Sequence, residues 1–583
     1  MPRLIQDRLM VFFKAPRKGR FSFVKLISAL GALTSLAAWL APNHYPPWTS
    51  FHGELAAFFA LGLFSLAALV DRNPIVLDKV LSVLAAIGLL IGFQWASGQI
   101  AYGGDAIISC VYIAGFATAW WLGLNSRCSA SQPRIAALLF AAICVTGASV
   151  ATFIALLQCL RLESMLGVFA ADLGPGMRPF GNFGQPNHLA TLALMAVVQA
   201  SILYDSDRLK KWQWILLVIY LSLGVVATQS RAGLASSLVL GVFFMVYSHK
   251  FWSKSSRKIV PIWWAGLLIV TVYWPAINDA LYLQSERSFL PAQDQSRILM
   301  WKQMASAIEH SSWLGYGWRQ TVVAQKSGAN FVAGNLPTDY AHSFPIDIVL
   351  WVGIPIGAVI LLAILWWMFR AVKRISSLSE FFLLAGVVPV CIHSLVEFPF
   401  AYSYFLFPVG WMLGAVSAMQ QFPKGVVNHK IQPSLRVALA AWLLAFFSLS
   451  FWLVPEYLRA EEDYQVMRFE LRNLGNIPAG HEKPSLQILT QLGAVLEVGR
   501  LVPTVGMPPE SLSAMKVANA NLSWATLQLN YAIALGLNGD PHEATRQLAN
   551  LRAVYGEKTY QQVREVFSQR IEKHAELNAV TLP

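Results

Sequence analysis

The chain has 583 residues, of which 56% are hydrophobic and 13% are charged, and its mean hydropathy is +0.50. Soluble domains carry about 25% charged residues, so this composition excludes a water-soluble globular protein and indicates a polytopic membrane protein. The net charge of +13 is compatible with nucleic-acid binding or with basic cytoplasmic loops, and the positions of the basic residues decide between the two.

Hydrophobic runs of about 17–25 residues, the length that crosses a bilayer, predict an all-α fold with about 13 transmembrane helices. The runs lie near residues 22–41, 51–70, 80–97, 106–124, 135–159, 186–204, 213–229, 232–248, 259–277, 345–369, 379–398, 402–420 and 437–456. We therefore expect four parts: the first nine spans within 1–277, a large loop over 278–344, the remaining spans within 345–456, and a helical C-terminal domain over 457–583.

Lysine and arginine are concentrated in every second connection between these runs. The basic connections are residues 1–21, 72–79, 127–134, 208–211, 250–258, 370–374 and 424–436. The short connections on the other side hold only Arg161, Arg178 and Arg231. Because basic connections remain in the cytoplasm, the N-terminus is predicted to be cytoplasmic. An odd number of spans then exports both the loop 278–344 and the tail 457–583.

The same distribution limits the partners of the chain. The basic excess follows from topology, and the tail is nearly neutral by count, so we predict a lipid bilayer as partner and no nucleic acid. The five cysteines lie in spans or on the cytoplasmic side, which implies no disulfide framework. The sequence shows no metal-binding spacing and no Walker loop. We therefore predict no metal and no cofactor, so the substrate itself supplies the energy of any reaction.

The sixth span opens with a dense polar stretch, RPFGNFGQPNHLA, at residues 178–190. Pro186 and the glycines before it predict a tight turn into a helix whose N-terminal amides favour anions on the exported side. A simple helix cap would explain part of the stretch. The stretch carries more polar groups than one cap requires: Arg178, Asn182, Gln185, Asn187 and His188.

The connection between the seventh and eighth spans, Thr228 to Gly233, is too short to form a loop. Arg231 is therefore held between packed helices at the exported membrane surface. Two roles remain open for it. The guanidinium could bind a lipid phosphate at the surface, or it could hold the diphosphate of a substrate, whose oxygens match its planar fork.

The loop 278–344 contributes two further candidates. Apolar residues at 298, 301, 304, 305 and 308 predict an amphipathic helix lying on the membrane, with Arg297 in its first turn. Further along, His342 precedes the tenth span directly. Histidine is the side chain best able to accept a proton near neutral pH. A lone loop histidine is usually inert, and the neighbouring arginines favour a catalytic role for this one.

Taken in order, these motifs resemble the O-antigen ligase superfamily of bacterial inner-membrane glycosyltransferases. The resemblance rests on QSRAG at 229–233, on Arg297-x-x-x-Trp301 followed by GYG at 315–317, and on AHS at 341–343 before a span. The stretches GNFGQPNHLA at 181–190 and HSLVEFP at 393–399 resemble more narrowly the protein O-oligosaccharyltransferases (PglL type) of that superfamily. Ser343 departs from the pattern, since the family often has Asn after the histidine.

The resemblance implies transfer of a preassembled oligosaccharide from undecaprenyl diphosphate to Ser or Thr hydroxyls of periplasmic proteins such as pilins. It also implies a bacterial inner-membrane location, with the active site and the C-terminus in the periplasm. We expect Arg231 and Arg297 to stabilise the diphosphate, and His342 to accept the proton of the acceptor hydroxyl. The expected substrate-binding residues are Gln185, Asn187, Tyr402, Tyr404 and Arg319.

Several other functions share parts of this pattern. An O-antigen ligase would use lipid A core as acceptor, and an O-antigen polymerase would use a second carrier-linked glycan. The GQPNHLA stretch and the large exported tail favour a protein acceptor. N-linked oligosaccharyltransferases carry a Trp-Trp-Asp signature, whereas no Trp-Trp pair of this chain is followed by Asp. A transporter should carry ionisable residues in mid-span, whereas here the polar residues gather at one exported face.

The tail has helical periodicity, and residues 524–544 resemble one tetratricopeptide-like hairpin. One hairpin does not make a repeat array, which needs about three repeats. The tail therefore either packs over the active-site face or recognises the acceptor protein.

Overall fold

The computed structural model describes residues 18–70, 75–126, 135–247, 254–280, 283, 296–421, 433–472 and 481–583. Several features predicted above lie outside these residues. They are the basic segments 1–17 and 127–134, Arg72, Lys250, the basic residues within 422–432, and positions 284–295 of the predicted exported loop.

The described chain is all-helical, as the hydrophobic runs predict. The helices of the membrane part are α1 (Lys18–Leu40), α2 (Phe51–Val70), α3 (Lys79–Ala96), α4 (Gly103–Leu124), α5 (Ile135–Cys159), α6 (Pro186–Asp205), α7 (Lys211–Ala227), α8 (Arg231–Tyr247), α9 (Lys254–Ala280), α12 (Phe344–Lys373), α13 (Leu378–His393), α14 (Ser403–Gln421) and α15 (Pro433–Glu470). Each predicted span falls on one of these helices.

Nine helices in the described part of the chain are long and apolar enough to cross a membrane. The helices α7, α8 and α13 are apolar but have only 17, 17 and 16 residues. The helix α14 has 19 residues and lies outside the group of nine. The membrane character of the chain is therefore confirmed, whereas the number of 13 spans stays a prediction.

The helix α6 forms the centre of the membrane part. Of its most hydrophobic 18-residue window, 78% is buried within the protein, because α5, α7, α8 and α13 surround it. A helix that is apolar on every side is covered either by lipid or by other parts of the protein, and protein helices cover most of α6. The polar turn before Pro186 is consequently carried into the middle of the helix bundle.

Two glycines permit close contact between α4 and α14. A Cβ atom on Gly123 would lie 2.8 Å from the backbone nitrogen of Ala415, and one on Gly414 would lie 2.9 Å from the carbonyl carbon of Trp120. Small residues let membrane helices approach until their backbones touch. The α4 and α14 backbones are thus locked against each other.

The last helix of the membrane part continues into the tail. We predict a span over 437–456 from the hydrophobic run, but α15 extends without interruption to Glu470. Tyr457 is fully buried, stacks on Phe51 with ring centroids 3.6 Å apart, and donates to the carbonyl of Trp48 over 3.1 Å. Further along α15, Asp463 accepts two hydrogen bonds of 2.8 Å from Arg500. The helix thus joins the membrane part to the tail.

The remaining helices lie in the hydrophilic pieces. The loop holds α10 (Ser296–Glu309) and α11 (Thr321–Gly328), and the tail holds α16 (Thr490–Val498), α17 (Pro509–Asn521), α18 (Ala525–Leu537) and α19 (Pro541–Ile571). The helices α18 and α19 form the predicted hairpin, which Asp540 initiates by accepting from the amide of Glu543 over 3.0 Å. Gly556, at φ +81°, bends α19.

The helix α10 has the predicted position but not the predicted environment. Arg297 lies in its first turn, and yet Met300, Gln303 and Met304 are completely buried. Gln303 donates to the carbonyls of Val332 and Ala553, over 3.0 and 2.9 Å. The helix therefore packs between the loop and the tail. The apolar spacing indicates one covered face of a helix without indicating whether lipid or protein covers it.

Candidate active site

Three of the predicted site residues meet at one buried carboxylate, that of Glu397. His342 Nδ1 lies 2.6 Å from Glu397 Oε2, Arg297 Nη2 forms an ion pair with Oε1, and Asn187 Nδ2 donates to Oε1 over 3.3 Å. The side chain of Glu397 is 3% exposed, whereas those of His342 and Arg297 are 18% and 43% exposed. The carboxylate is thus an internal anchor, and its partners face outward.

The end of α13 places this carboxylate. We predict a span up to 398, whereas α13 ends at His393 and the chain then turns through residues 394–402 before α14. Backbone hydrogen bonds from the amides of Val396 and Glu397 to the carbonyl of His393 form the turn, at 3.1 and 2.9 Å. Pro399 cannot continue a helical hydrogen-bond ladder. Glu397 therefore leaves the helix and points towards the loop 296–343.

The backbone on either side of His342 is fixed by contacts with three other parts of the fold. The amide of Ala341 donates to Asp347 Oδ1 over 2.9 Å, and the carbonyl of Ala341 accepts from Trp301 Nε1 over 2.8 Å. The amide of Phe344 donates to the carbonyl of Ser394 over 2.8 Å. His342 itself has φ +51°, an uncommon conformation for a residue other than glycine. The imidazole is therefore held towards Glu397 at a cost in backbone energy.

This arrangement defines the chemistry that His342 can perform. With Nδ1 donating to Glu397, the tautomer leaves a lone pair on Nε2. Burial alone would raise the pKa of Glu397, but the hydrogen bond from His342 and the charges of His342 and Arg297 lower it below its ordinary value. The carboxylate stays ionised, and it stabilises an imidazolium when Nε2 accepts a proton.

Arg297 is held in place by two acceptors from the same turn. One guanidinium nitrogen pairs with Glu397, and Nη1 donates to the carbonyl of Val396 over 3.2 Å. The planar guanidinium can satisfy both acceptors and still present donors to an anion. Because the side chain is 43% exposed, these donors are accessible from outside the protein.

The predicted motifs at 178–190 and 228–233 are linked directly. Asn187 Oδ1 accepts from Ser230 Oγ over 2.7 Å, while the Nδ2 of the same side chain reaches Glu397. Arg178 Nη1 donates to the carbonyls of Thr228 and Gln229, each over 3.1 Å. The residue after Ser230 is Arg231, the first residue of α8. Asn187 thus connects the Arg231 turn to the carboxylate that holds His342.

Arg231 differs from Arg297 in its surroundings. Its side chain is exposed, and it has no hydrogen bond or ion pair with the residues that the structure describes. The turn before it is fixed by Arg178 and by Ser230 Oγ, which accepts from the amide of Gly233 over 2.9 Å. The backbone before Arg231 is fixed, and its guanidinium has no partner among the described residues. Its charge is therefore available to a ligand.

The other predicted substrate-binding residues have different environments. Gln185 is the residue before α6 and makes no side-chain cap. Tyr402 is half-buried, with its ring centroid 4.6 Å from that of His188. Tyr404 is 6% exposed, and its hydroxyl lies 3.3 Å from His188 Nδ1. Tyr404 is therefore part of the core beside His188, whereas Tyr402 is partly exposed.

Two polar residues of the 178–190 stretch brace the fold instead of facing the site. Asn182 donates to the carbonyls of Leu40 and Phe169, over 2.7 and 2.8 Å. His188 is buried among the rings of Phe183, Tyr402 and Phe405. The density of polar groups therefore has two causes, because part of the stretch builds the site and part supports it.

Arg319 lies on the far side of an aromatic pair from His342. Its guanidinium is 5.8 Å from the ring centroid of Tyr340, Tyr340 stacks on Phe398 at 4.9 Å, and His342 meets the edge of Phe398 at 4.8 Å. Burial alone would lower the pKa of Arg319, but its electrostatic interactions with Tyr340 and Asp105 raise it. Arg319 is therefore separate from the Glu397 cluster.

Glu397 is absent from the residues that we selected from the sequence, although it belongs to the HSLVEFP stretch. The sequence did carry a signal for Glu397: the carboxylate lies four residues after His393 and is followed directly by Phe398 and Pro399. In the part of the chain that the structure describes, no group of three or more His, Cys, Asp or Glu side chains is placed to hold a metal ion.

Three family models match the chain, each over a different part of this site. A model described as protein glycosylation ligase matches residues 179–200, and one described as O-antigen ligase matches 216–361. The C-terminal model of a virulence factor membrane-bound polymerase matches 381–570. The matched ranges hold Asn187, Arg231, Arg297, His342 and Glu397.

Two relatives from Acinetobacter baylyi are similar over most of their length. A general O-oligosaccharyltransferase is 27% identical over 561 residues, which cover 91% of this chain and 92% of the relative. A ComP-specific O-oligosaccharyltransferase is 27% identical over 393 residues, which cover 65% of this chain and 69% of the relative. The chain is therefore similar to protein O-oligosaccharyltransferases and to the O-antigen ligase family.

With its apolar helices, the protein is a membrane glycosyltransferase, and the general function that these similarities support is protein O-glycosylation. No solved structure matches the chain. Each of the three matched regions contributes to the Glu397 cluster: the first contains Asn187, the second contains Arg297 and His342, and the third contains Glu397 itself.

Proposed function

We propose that the enzyme transfers a preassembled oligosaccharide en bloc from undecaprenyl diphosphate to Ser or Thr hydroxyls of periplasmic proteins such as pilins. The proposed location is the bacterial inner membrane, with the N-terminus in the cytoplasm and the site and tail in the periplasm. The observation that supports this reaction best is the pairing of one buried carboxylate with both a histidine and an arginine. A base and an anion-binding group are thereby held side by side.

The proposed reaction is a single displacement with inversion. The acceptor hydroxyl oxygen bonds to the anomeric carbon while the bond from that carbon to the diphosphate oxygen breaks. The electron pair of the broken bond leaves with the diphosphate, and His342 Nε2 takes the hydroxyl proton. Glu397 keeps Nδ1 protonated and balances the imidazolium charge. Because a diphosphate leaves readily, the step uses only positioning and charge.

Two arginines stabilise the leaving group in this proposal. Arg297 is fixed by Glu397 and Val396 and presents its remaining donors. Arg231 extends from the start of α8, on a turn that is tied to Asn187 through Ser230. Their bidentate geometry matches diphosphate oxygens. Asn187, Gln185 and Tyr402 then orient the carrier or the acceptor, and Tyr404 and Arg319 contribute from further away.

The test uses cells supplied with a carrier-linked glycan and a pilin-like acceptor. We expect His342→Ala to abolish glycosylation of the acceptor, measured by mass spectrometry of the intact protein, while membrane levels stay normal. His310→Ala is the matched control, because His310 lies in the same loop but stacks on Phe331 away from Glu397. Undiminished transfer by His342→Ala would eliminate the proposed base.

A lipid acceptor is the second candidate, because the region 216–361 matches a model described as O-antigen ligase. Transfer to lipid A core would use the same arginines and histidine. The two functions are separated by comparing exported proteins and lipopolysaccharide from cells with and without the gene. Loss of an O-linked protein glycan with unchanged lipopolysaccharide supports the protein acceptor, and the reverse result supports the lipid.

A further inference from the structure

A short loop after α5 exposes large apolar side chains next to the site. We name residues 160–169 the apolar loop. It includes a 3-10 helix, Glu163–Phe169. Met165, Val168 and Phe169 are 77%, 83% and 75% exposed. Large apolar patches on a protein surface indicate an interaction site.

The apolar loop continues a membrane-facing surface. Val150 and Phe153 are exposed one turn apart near the end of α5, and Leu160, which directly follows the helix, is exposed about two turns further on. The helix α5 is long and apolar enough to cross a membrane. The exposed stripe passes from α5 through Leu160 to Leu162 and Met165, with Ser164 as the exposed polar residue within it.

The charged residues of the apolar loop are turned inward. Glu163 is buried and accepts from the amide of Leu173 over 3.2 Å. Arg161 donates to the carbonyl of Leu173 over 2.6 Å. Both charges therefore serve to fold the loop back on residues 170–173. Its tip keeps Ser164 as the polar side chain beside the exposed apolar ones.

The loop is fixed rigidly to the site. The side chain of Asn182 donates to the carbonyl of Phe169 and accepts from the amide of Ala171, over 2.8 and 3.0 Å. Asn182 lies in the same polar stretch as Asn187, which reaches Glu397. The depth of the apolar loop relative to the membrane is thus linked to the depth of the site.

We propose that the apolar loop is immersed in the lipid hydrocarbon of the leaflet on the side of the site. Its exposed side chains continue the lipid-facing stripe of α5, and its two charged side chains, Arg161 and Glu163, bond to the protein's own backbone. The proposal has a second part: immersion of the loop fixes the depth of the site relative to the membrane, and so the level at which the site meets its substrate. This second part rests on the proposed function, in which the diphosphate is attached to a membrane lipid.

The test places an environment-sensitive fluorophore at position 168 of the full-length enzyme in phospholipid nanodiscs. Val168→Cys is made in a background without Cys110, Cys128, Cys144, Cys159 and Cys391 and is labelled with bimane. We expect brominated phospholipids to quench the label and aqueous iodide to leave it bright. Leu89→Cys, exposed on the candidate span α3, provides the lipid-facing standard.

The matched control is Val502→Cys, an exposed valine in the tail, for which iodide should quench and brominated lipid should not. Iodide quenching at position 168 equal to that at 502 would overturn the proposal. A label at 168 that neither reagent quenches would also overturn it, since protein would then cover the loop. None of these readings requires a donor or an acceptor, so they do not depend on the proposed function.

The second part is measured with a double variant, Val168→Asn with Phe169→Asn, and a lipid-linked donor in nanodiscs. We expect a several-fold rise in KM for the donor with kcat unchanged, because the site no longer sits at the height of the diphosphate. A fall in kcat with KM unchanged, or no change in either, would overturn the height role. Wild-type enzyme without transfer activity would contradict the proposed function instead.

Discussion

At the scale of single residues, one carboxylate organises the site. One oxygen of Glu397 pairs with His342, and the other pairs with both Arg297 and Asn187. The three partners come from separate segments of the chain, so the sequence alone could predict His342, Arg297 and Asn187 without showing that they meet. In the sequence, the helices α12 and α13 separate His342 from Glu397. The turn after α13 brings the two side chains together.

Replacing Glu397 by Gln tests the charge of that carboxylate. We expect kcat to fall by about 10²–10⁴-fold, the range that general acid–base catalysis contributes, because an amide cannot balance the imidazolium. Steady-state transfer by the purified enzyme measures the effect. Glu462→Gln, in the part of α15 beyond the predicted span, is the control and should behave as wild type. Unchanged kcat in Glu397→Gln would contradict the assigned role.

The two arginines should respond differently to replacement by lysine. Arg297→Lys cannot hold Glu397 and Val396 with one planar group, so we expect a loss of kcat together with lower thermal stability. Arg231→Lys removes no contact with the described residues, so its melting temperature should remain that of wild type while transfer falls. Melting curves and transfer rates for both variants check this. Full activity of Arg231→Lys would identify Arg231 as an anchor for lipid phosphate.

The pH dependence of the site follows from Glu397. Its pKa is lowered in the folded protein, so its pairing stabilises the fold above the ordinary carboxyl pKa of about 4.5 and is lost as the pH falls through the lower folded value. We therefore expect the melting temperature of wild type relative to Glu397→Gln to decrease only below about pH 4.5. A difference that disappears between pH 6 and 8 would show that another group titrates.

At the scale of elements, the loop 296–343 is held by the tail. Lys326 in α11 donates to the carbonyls of Asn519 and Leu522 at the end of α17. The amide of Gly334 donates to the carbonyl of Ala553 in α19 over 2.6 Å. The helical period predicts these helices, but no local pattern shows that α10 and α11 pack on α17 and α19. Which helices pack together depends on side chains far apart in the sequence, and the helical period of one segment carries no information about them.

The contact of Lys326 predicts a pH effect on this docking. Burial lowers its pKa to about 7, so the folded protein binds this proton less tightly than the unfolded chain does, and docking strengthens as the pH rises above 7. We expect hydrogen exchange of the α17 amides, after correction for the intrinsic rate, to slow between pH 7 and 9 in wild type. Lys326→Met should remove this dependence. An equal dependence of the corrected exchange rate on pH in wild type and Lys326→Met would contradict this role of Lys326.

At the scale of the whole molecule, the hydrophobic runs predict every helix of the membrane part to within a few residues at most ends. The exceptions are informative. The helix α13 ends early because its last predicted residues form the Glu397 turn, and α15 runs further because Tyr457 and Asp463 have partners in the membrane part and the tail. Hydrophobicity identifies what lipid can cover, but it does not show where a helix stops when protein covers it.

Removal of the tail tests its role. Because the tail binds α10 and α11 directly, we expect a chain that ends at Arg472 to lose transfer to a short Ser-containing peptide as well as to a folded pilin-like protein. Both transfers are measured by mass spectrometry on truncated enzyme with confirmed insertion. Retained transfer to the peptide alone would show instead that the tail selects the acceptor.

The length of α15 has a mechanical consequence. Its 38 residues span about 57 Å at 1.5 Å per residue, roughly twice the thickness of a bilayer's hydrocarbon. Its first part is a candidate membrane span, and its other end carries the tail, which contacts α10 and α11. Because the helix is continuous, a tilt of its membrane end moves the tail with it, and the contacts of the tail pass this movement on to α10 and α11.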